Sequence, residues 1–392
     1  MRVPRLAVLF TSVALMIAPQ FALGQFTQGA SYPIDPYPRS AILEDFNRDG
    51  KLDMAVATWG GNSVDILLGN GDGTFQPPVS YATASNAPWQ VVAGDFRNNG
   101  ILDLVVATGY GKTVSLMLGN GDGTFQPPTA LSAGLHPVTV AVADLNRDGN
   151  LDLLIGNHTE ATMTVYLGNG DGTFQPPHTY VVGPWPVASG LAGPYPLPRW
   201  MAIADFNKDG IPDVAMVDAG DPVPSVVAVM LGKGDGTFTL PVFYTVAETP
   251  LGIDVADFNH DGNIDIVTAD NNAASASVLL GNGDGTFRTP TTYPVGVKPQ
   301  SVVAGDFNRD GNMDFVVSNQ NSDTITLYLG NGDGTFQPAI NYPAGKFPED
   351  IAAGDLTGNG MLDLVVPDYN SNSVQVMLNS FPVGINVTSP KR

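Results

Sequence analysis

The 392-residue chain has no cysteine, so disulfide bonds cannot stabilise it. Charged residues are scarce at 14%, and 17 Lys and Arg stand against 38 Asp and Glu. With no basic patch to meet phosphate groups, we do not expect nucleic acid as a partner. Beyond the N-terminal region no apolar run has the length of a membrane span, so we do not expect an integral membrane protein.

The N-terminus has the pattern of a secretory signal peptide. Arg2 and Arg5 precede an apolar run, Leu6–Ala18, and small residues follow at Ala22-Leu23-Gly24. We expect cleavage after residues 1–24 and a mature protein that is secreted or held at the cell surface, with the periplasm as another destination. A retained N-terminal anchor is the alternative.

Seven acidic loops with the pattern Asp-x-Asn-x-Asp-Gly-x-x-Asp or a close variant punctuate the chain. The first runs from Asp45 to Asp53, and the others begin at Asp95, Asp144, Asp205, Asp257, Asp306 and Asp355. Carboxylates at positions 1, 5 and 9, the amide oxygen at position 3 and the backbone carbonyl at position 7 are hard oxygen ligands of the kind Ca²⁺ prefers. Half of the acidic residues occupy these positions, so bound Ca²⁺ would neutralise much of the formal charge of −21.

The loops recur at spacings of 50, 49, 61, 52, 49 and 49 residues, a period typical of propeller blades. Each loop separates two short Val-rich runs, a third run leads into an Asn-Gly-Asp-Gly hairpin signal, and a more polar fourth run follows. Four such runs predict a four-stranded antiparallel blade. A proline seven residues before every loop marks entry into the first strand, since Pro is tolerated there: Pro38, Pro88, Pro137, Pro198, Pro250, Pro299 and Pro348.

The two ends of the chain predict how the ring closes. Six units carry Gly-Asp-Gly-Thr-Phe, but the seventh stops after Val374–Leu378. Phe26 and Tyr32 reproduce the Phe-to-Tyr spacing of a complete unit, so we expect residues 26–34 to form the outer strand of the last blade. The predicted fold is all-β: a seven-bladed β-propeller of four-stranded antiparallel blades over residues 25–379, its last blade completed by the N-terminal strand. Residues 380–392 are predicted to be a short C-terminal tail.

With seven in-phase loops, the chain resembles the FG-GAP and VCBS repeat proteins, bacterial relatives of the integrin α-subunit propeller. The resemblance covers residues 26–379 and implies Ca²⁺ in the turn between the first two strands of a blade. Gly-Thr-Phe stands where integrin repeats have their own variants, so integrin ligand-binding residues do not transfer to this chain.

Carried over residue by residue, the resemblance implies five strong Ca²⁺ sites and two weak or empty ones. The strong sites are Asp45, Asn47, Asp49, Lys51 and Asp53; Asp144, Asn146, Asp148 and Asp152; Asp205, Asn207, Asp209 and Asp213; Asp257, Asn259, Asp261 and Asp265; and Asp306, Asn308, Asp310 and Asp314. The weaker sets, each lacking one carboxylate, are Asp95, Asn99 and Asp103, and Asp355, Asn359 and Asp363. Position 3 of the second loop is Arg97, which brings a cation close to the ion's place, and position 3 of the seventh is Thr357.

The acidic pattern does not fit two other calcium-binding motifs, the EF-hand and the dockerin. An EF-hand needs Glu at position 12, where every loop here has another residue, and a dockerin would show two copies followed by helices. The remaining alternative is that the loops are Asx-rich turns that bind no metal. For Asp72 and its equivalents in the Asn-Gly-Asp-Gly segments, a turn role is the expectation.

No catalytic constellation is recognisable, because the four histidines share no spacing and the glutamates are isolated, so we do not expect an enzyme. If the acidic loops share one face, ligands would bind the opposite face. The longest connection, Val182–Trp200, would present Trp185, Tyr195 and Trp200 to a sugar or a protein, or would simply pack on its own blade. Trp59, Trp89 and Tyr110 are expected on that face too.

The sequence therefore predicts an exported, monomeric Ca²⁺-binding propeller that serves as a ligand-binding or adhesion module for an extracellular protein or glycan. Three alternatives remain at this point. They are a carbohydrate-binding, lectin-like propeller, a polysaccharide lyase-type propeller enzyme, and a purely structural surface repeat.

Overall fold

The computed structural model describes residues 26–182, 198–218 and 225–380, and within these ranges the secondary structure is entirely β. Its 28 strands form seven four-stranded antiparallel sheets, which confirms the predicted blades. No helix that could span a membrane occurs in the part of the chain that the structure describes. The predicted signal peptide and all but the first residue of the predicted tail lie outside the described residues.

The first strand of each blade lines the centre of the ring. Neighbouring first strands contact one another all the way round, and β26 contacts β2 to close the circle. These strands are β2 (Pro38–Glu44), β6 (Pro88–Gly94), β10 (Pro137–Ala143), β14 (Pro198–Ala204), β18 (Pro250–Ala256), β22 (Pro299–Gly305) and β26 (Ala352–Gly354). Six begin at the predicted proline; the seventh proline, Pro348, forms an isolated bridge with Asp368 ahead of β26.

The second and third strands form the buried middle of each blade. Every residue of every second strand is buried, which explains their near-continuous apolar sequence. The second strands are β3 (Asp53–Thr58), β7 (Asp103–Thr108), β11 (Asp152–Asn157), β15 (Asp213–Asp218), β19 (Asp265–Asp270), β23 (Asp314–Asn319) and β27 (Asp363–Asp368). The third are β4 (Ser63–Leu67), β8 (Thr113–Met117), β12 (Thr162–Tyr166), β16 (Val226–Met230), β20 (Ser275–Leu279), β24 (Thr324–Tyr328) and β28 (Ser373–Asn379).

Six of the outer strands have four residues each and β1 has eight, and most of their residues are exposed, as their polar sequence indicates. They are β5 (Val79–Ala82), β9 (Thr129–Ser132), β13 (His178–Val181), β17 (Val242–Thr245), β21 (Thr291–Pro294), β25 (Ile340–Pro343) and β1 (Phe26–Pro33). In the last blade β1 pairs antiparallel with β28, from Phe26 opposite Asn379 to Pro33 opposite Ser373. The predicted closure by the N-terminal strand is therefore confirmed.

Apolar contacts between adjacent blades make the core. One cluster joins Ala55 and Val64 of the first blade to Val91 and Leu104 of the second, and comparable clusters fill the other interfaces. Each blade therefore depends on its two neighbours for burial of its faces, as in other repeat architectures.

Candidate metal loops and channel mouth

All seven acidic loops connect a first strand to a second strand, so they lie at one end of the ring, here called the loop face. Backbone hydrogen bonds tie five of the seven loops to a hairpin of a neighbouring blade; for example, Gly123 N donates to Phe46 O over 3.2 Å and Gly172 N to Phe96 O over 2.9 Å. The turns after the second and fourth strands lie at the opposite end, here called the mouth face.

In the third loop, oxygen atoms of two predicted ligands converge on one backbone amide. Asp148 N donates both to Asp144 Oδ1 over 3.1 Å and to Asn146 Oδ1 over 3.0 Å. Gly149, with a φ of +85°, donates to Asp144 Oδ2, and this left-handed turn is why Gly occupies position 6. The same pair of bonds recurs in the loops that begin at Asp45, Asp205 and Asp306.

The carboxylate at position 9 has a different setting, because it is buried and accepts backbone amides from two separate segments. Asp152 is fully buried and accepts from Leu145 N and Gly168 N, both over 2.8 Å. Asp314 accepts from Phe307 N over 2.9 Å and from Gly330 N over 2.8 Å. Each position-9 carboxylate thus links its acidic loop to the end of the third strand.

The second loop is built around Arg97 instead. Its guanidinium donates to both oxygens of Asp103, over 3.2 and 2.6 Å, and to Gly119 O over 2.6 Å. A side-chain cation therefore already sits on the position-9 carboxylate. In the seventh loop, Thr357 Oγ1 lies 3.5 Å from Asp363 Oδ2.

The donor chemistry of the five complete loops fits Ca²⁺, since each carries carboxylates at positions 1, 5 and 9 and an amide oxygen at position 3. In four of them the oxygens at positions 1 and 3 converge on one backbone amide. Among the described residues, no group of three or more His, Cys, Asp or Glu side chains is already gathered as a metal cluster. Ca²⁺ binding stays a prediction. Asp72 and its equivalents cap their own turns, where Thr74 N and Oγ1 both donate to Asp72 Oδ1 and lower the pKa of that carboxyl.

The residue after each strand-opening proline lies at the mouth of the central channel. These positions are Arg39, Trp89, Val138, Arg199, Leu251, Gln300 and Glu349. Six of them, all but Val138, line a cavity of about 310 Å³ together with Trp200. Of these six, only Leu251 has an aliphatic side chain; the others are polar or aromatic. We call this cavity the channel-mouth site.

Glu349 is the buried carboxylate of this site, with 7% of its surface exposed. Its oxygens lie 3.2 Å from Arg39 Nη1 and accept hydrogen bonds from Gln300 Nε2 and Gln320 Nε2, each over 2.9 Å. Burial raises the pKa of Glu349, and the Arg39 charge and the two amides oppose that rise. Glu349 is isolated from other charged residues of the site in the sequence, but the ring brings it to Arg39, 310 positions away.

Arg199 lies across the site from this pair. Its Cζ is 5.7 Å from the centre of the Trp89 ring, and Arg39 Cζ lies 4.3 Å from the same ring. Burial, and secondarily the charge of Arg39, lowers the pKa of Arg199, while the charge of Glu349 raises it. Within the described ranges, Arg199 Nε is buried and has no hydrogen-bond partner.

An arc of aromatic rings runs over the mouth face beside this site. Successive ring centres are 4.8 to 6.0 Å apart, in the order Phe347, Tyr369, Tyr37, Trp59, Tyr110, His136 and His158. Tyr110 is 64% exposed and Tyr37 40% exposed. Burial chiefly, together with Arg199 and His136, lowers the pKa of His158 to about 3, so this ring is neutral at pH 7.

The structure thus brings to the mouth face several of the aromatic residues that the sequence predicts on the face opposite the acidic loops. Trp59 and Tyr110 lie in the arc, while Trp89 and Trp200 line the channel-mouth site. Trp185 and Tyr195 lie outside the described residues. The arc itself was missed because its members come from four blades, although they share two repeat positions: the residue before the strand-opening proline and the start of the turn after the second strand.

The fold defines a class, the seven-bladed β-propeller with acidic loops after each first strand. A family model for the FG-GAP-like repeat matches six overlapping segments, residues 45–106, 98–155, 152–216, 205–268, 257–317 and 306–366. The chain belongs to the FG-GAP-like repeat family.

Solved structures share the fold at low sequence identity. BBS1N, from a crystal structure in complex with ARL6DN, is 12% identical with a TM-score of 0.59, over 93% of this chain and 98% of that chain. A functionally unknown protein from Desulfotomaculum acetoxidans is also 12% identical, with a TM-score of 0.55 over 88% and 95% of the two chains. A search of curated proteins found no match.

Proposed function

We propose that this protein is an exported, Ca²⁺-stabilised propeller that binds an extracellular partner through its mouth face. The binding role rests on one observation, the arc of seven contacting aromatic rings that borders the channel-mouth site. Exposed aromatic rings add large contact area at small conformational cost, and they are enriched where proteins bind partners.

The family supports the same role. FG-GAP-like repeats form a propeller suited to protein interaction or adhesion, and BBS1N, which has this fold, was crystallised in complex with ARL6DN. Export is supported by the signal-peptide pattern of residues 1–24.

In this proposal the five complete loops hold Ca²⁺ through side chains at positions 1, 3 and 5, the carbonyl at position 7 and the carboxylate at position 9. When bound, the ion neutralises the clustered carboxylates and cross-links the turn. The chain's own contribution is to hold positions 1 and 3 together on a shared amide, as at Asp148 N.

Thermal unfolding of the mature chain in Ca²⁺ and in chelator tests the metal role. We expect a higher melting temperature in Ca²⁺, because an ion that binds only the folded state stabilises it by mass action. Substituting Asp144, Asp205 and Asp306 together by Asn should reduce that shift. Asp95→Asn, in the loop that Arg97 occupies, is the matched control and should leave the shift unchanged. Equal melting temperatures of the wild type in Ca²⁺ and in chelator would refute the role.

The aromatic arc specifically favours the lectin-like alternative, since rings in a row can stack on successive sugar rings. A glycan array probed with the wild type, Trp59→Ala and Tyr110→Ala separates the two kinds of partner. Glycan binding that both variants lose would establish the lectin. A protein partner would be supported by absent glycan signals together with adhesion of the wild type to protein-coated surfaces that both variants lose.

A further inference from the structure

We propose that the channel-mouth site binds the carboxylate of an acidic sugar, with Arg199 as the group that receives it. This inference rests on the binding role proposed for the mouth face and narrows the ligand to a uronic-acid-containing glycan.

The site contains more positive than negative charge. Arg39 and Arg199 contribute two guanidinium groups, and Glu349 is the one carboxylate among the described residues that line the cavity. Glu349 is already occupied, because Arg39 lies 3.2 Å from both of its oxygens and two glutamine amides donate to it over 2.9 Å. A ligand with a negative charge would balance the remaining cation.

Arg199 is the remaining cation. Within the described residues it makes no ion pair, and its Nε is buried without a hydrogen-bond partner. A buried polar group without a partner is costly, and a guanidinium presents a planar fork that matches a carboxylate. Of the internal segments outside the described ranges, 183–197 contains no Asp or Glu and 219–224 contains Asp221 alone.

The size and lining of the cavity favour a sugar over a bare anion. Its volume of about 310 Å³ lies near the lower limit of roughly 300–1,000 Å³ for small-molecule sites. Trp89 and Trp200 contribute indole rings, and Asn271 and Gln300 contribute amide groups that suit hydroxyls. Arg39 lies 4.7 Å from the ring centre of Tyr369, so the cavity adjoins the aromatic arc, where neighbouring sugars of a chain could stack.

Calorimetric titration of the mature, Ca²⁺-loaded chain with galacturonate and with tetragalacturonate tests the assignment. The methyl ester of galacturonate is the matched probe, since it keeps the ring and hydroxyls but has no charge. We expect the ester to bind at least tenfold more weakly than the acid, and the tetramer more tightly than the monomer. Acetate, a carboxylate without a ring, should bind at least tenfold more weakly than galacturonate.

Variants assign the binding to Arg199. Arg199→Gln should weaken galacturonate binding at least tenfold. Arg48→Gln, the same charge change in an acidic loop, should not alter it, and both melting curves should show a cooperative transition. Glu349→Gln releases Arg39 from its carboxylate and should strengthen binding. Gain in one variant and loss in the other cannot both come from misfolding.

Three results would overturn the assignment. They are no binding of either uronate by the wild type, equal binding of the acid and its ester, and acetate binding as tight as galacturonate. Asp221→Asn checks for an internal partner, because a tenfold gain in affinity would mean that Asp221 already occupies Arg199. If the chain binds other ligands through the mouth face but no uronate, the acidic-sugar assignment fails and the proposed binding role stands.

Discussion

At the residue scale, the last residue of each second strand shows how one repeat position is satisfied differently from blade to blade. Asn157 and Asn319 each accept a hydrogen bond from a glycine amide, over 2.9 and 3.0 Å, and donate to two threonine hydroxyls. Asp368 holds the equivalent place in the last blade. It is 1% exposed, and its Oδ1 has no partner among the described residues.

Asp368→Asn should stabilise the protein at alkaline pH. Burial, with a smaller contribution from Asp323, raises the pKa of Asp368 to about 8, whereas the pKa of Asp in an unfolded chain is about 3.9. Between these values the native state binds the extra proton, so this group's contribution to stability falls as pH rises from about 4 to about 8. Asn removes the titration, and we expect a gain on the order of 1–2 kcal/mol at pH 8. Denaturant melts of both proteins at pH 5 and pH 8 measure it.

Asp270→Asn is the matched control for this prediction. Asp270 ends the second strand of the fifth blade, but hydroxyls of Ser277 and Thr268 donate to it over 2.6 and 2.8 Å. Burial raises the pKa of Asp270 to about 6, so its contribution to the stability of the folded state stops falling near pH 6. The gain at pH 8 should be smaller than for Asp368→Asn. Equal stability of wild type and Asp368→Asn at pH 8 would contradict the account.

At the scale of the structural element, the acidic loop depends on its buried position-9 carboxylate even without metal. Asp152 holds Leu145 N and Gly168 N together, so its removal leaves two buried amides without acceptors. Each unsatisfied buried group costs about 1–3 kcal/mol. Asp152→Ala should therefore lose about 2–6 kcal/mol of stability in chelator, measured by urea unfolding.

The exposed position 5 of the same loop provides the comparison. Asp148 is exposed and caps Asn150 N over 2.9 Å, so Asp148→Ala should cost less than about 1 kcal/mol in chelator. Its larger effect should be a weaker Ca²⁺-induced rise in melting temperature. If the two variants were equally unstable in chelator, position 9 would have no special structural role.

The strands could be predicted from the sequence because the residue patterns that indicate them are local. Val-rich runs, strand-opening prolines and Gly-Asp-Gly turns predicted the strands and their order, and the structure confirms the seven blades and the β1 closure. The channel-mouth site could not be predicted in the same way. Arg39 and Glu349 meet only because the ring closes, and no local pattern reports a contact between residues so far apart in sequence.

At the scale of the whole molecule, Phe–Tyr contacts run between the outer parts of neighbouring blades and cross the closure. Tyr81 packs edge-on against Phe125 at 5.7 Å and Tyr244 against Phe287 at 5.3 Å. The closure strand takes part on both sides: Phe26 contacts Tyr342 of the sixth blade at 5.5 Å, and Tyr32 contacts Phe75 of the first blade at 5.7 Å. Because β1 supplies both rings, it fixes the last blade to both neighbours.

Deleting residues 26–33 should therefore open the ring, and not merely remove one outer strand from a ring that stays closed. The deletion exposes the edge of β28 and removes a buried phenylalanine, and Phe26→Ala alone should cost about 3–5 kcal/mol. We expect a sharply lower melting temperature for the deletion and, because an open strand edge can pair with another chain, association detectable by light scattering.

Ser31→Ala, an exposed change in the same strand, should behave like the wild type. A synthetic peptide of residues 26–34, added in trans, should restore part of the lost stability. A deleted chain that stays monomeric and melts at the wild-type temperature would show that the inner three strands of the last blade suffice to close the ring.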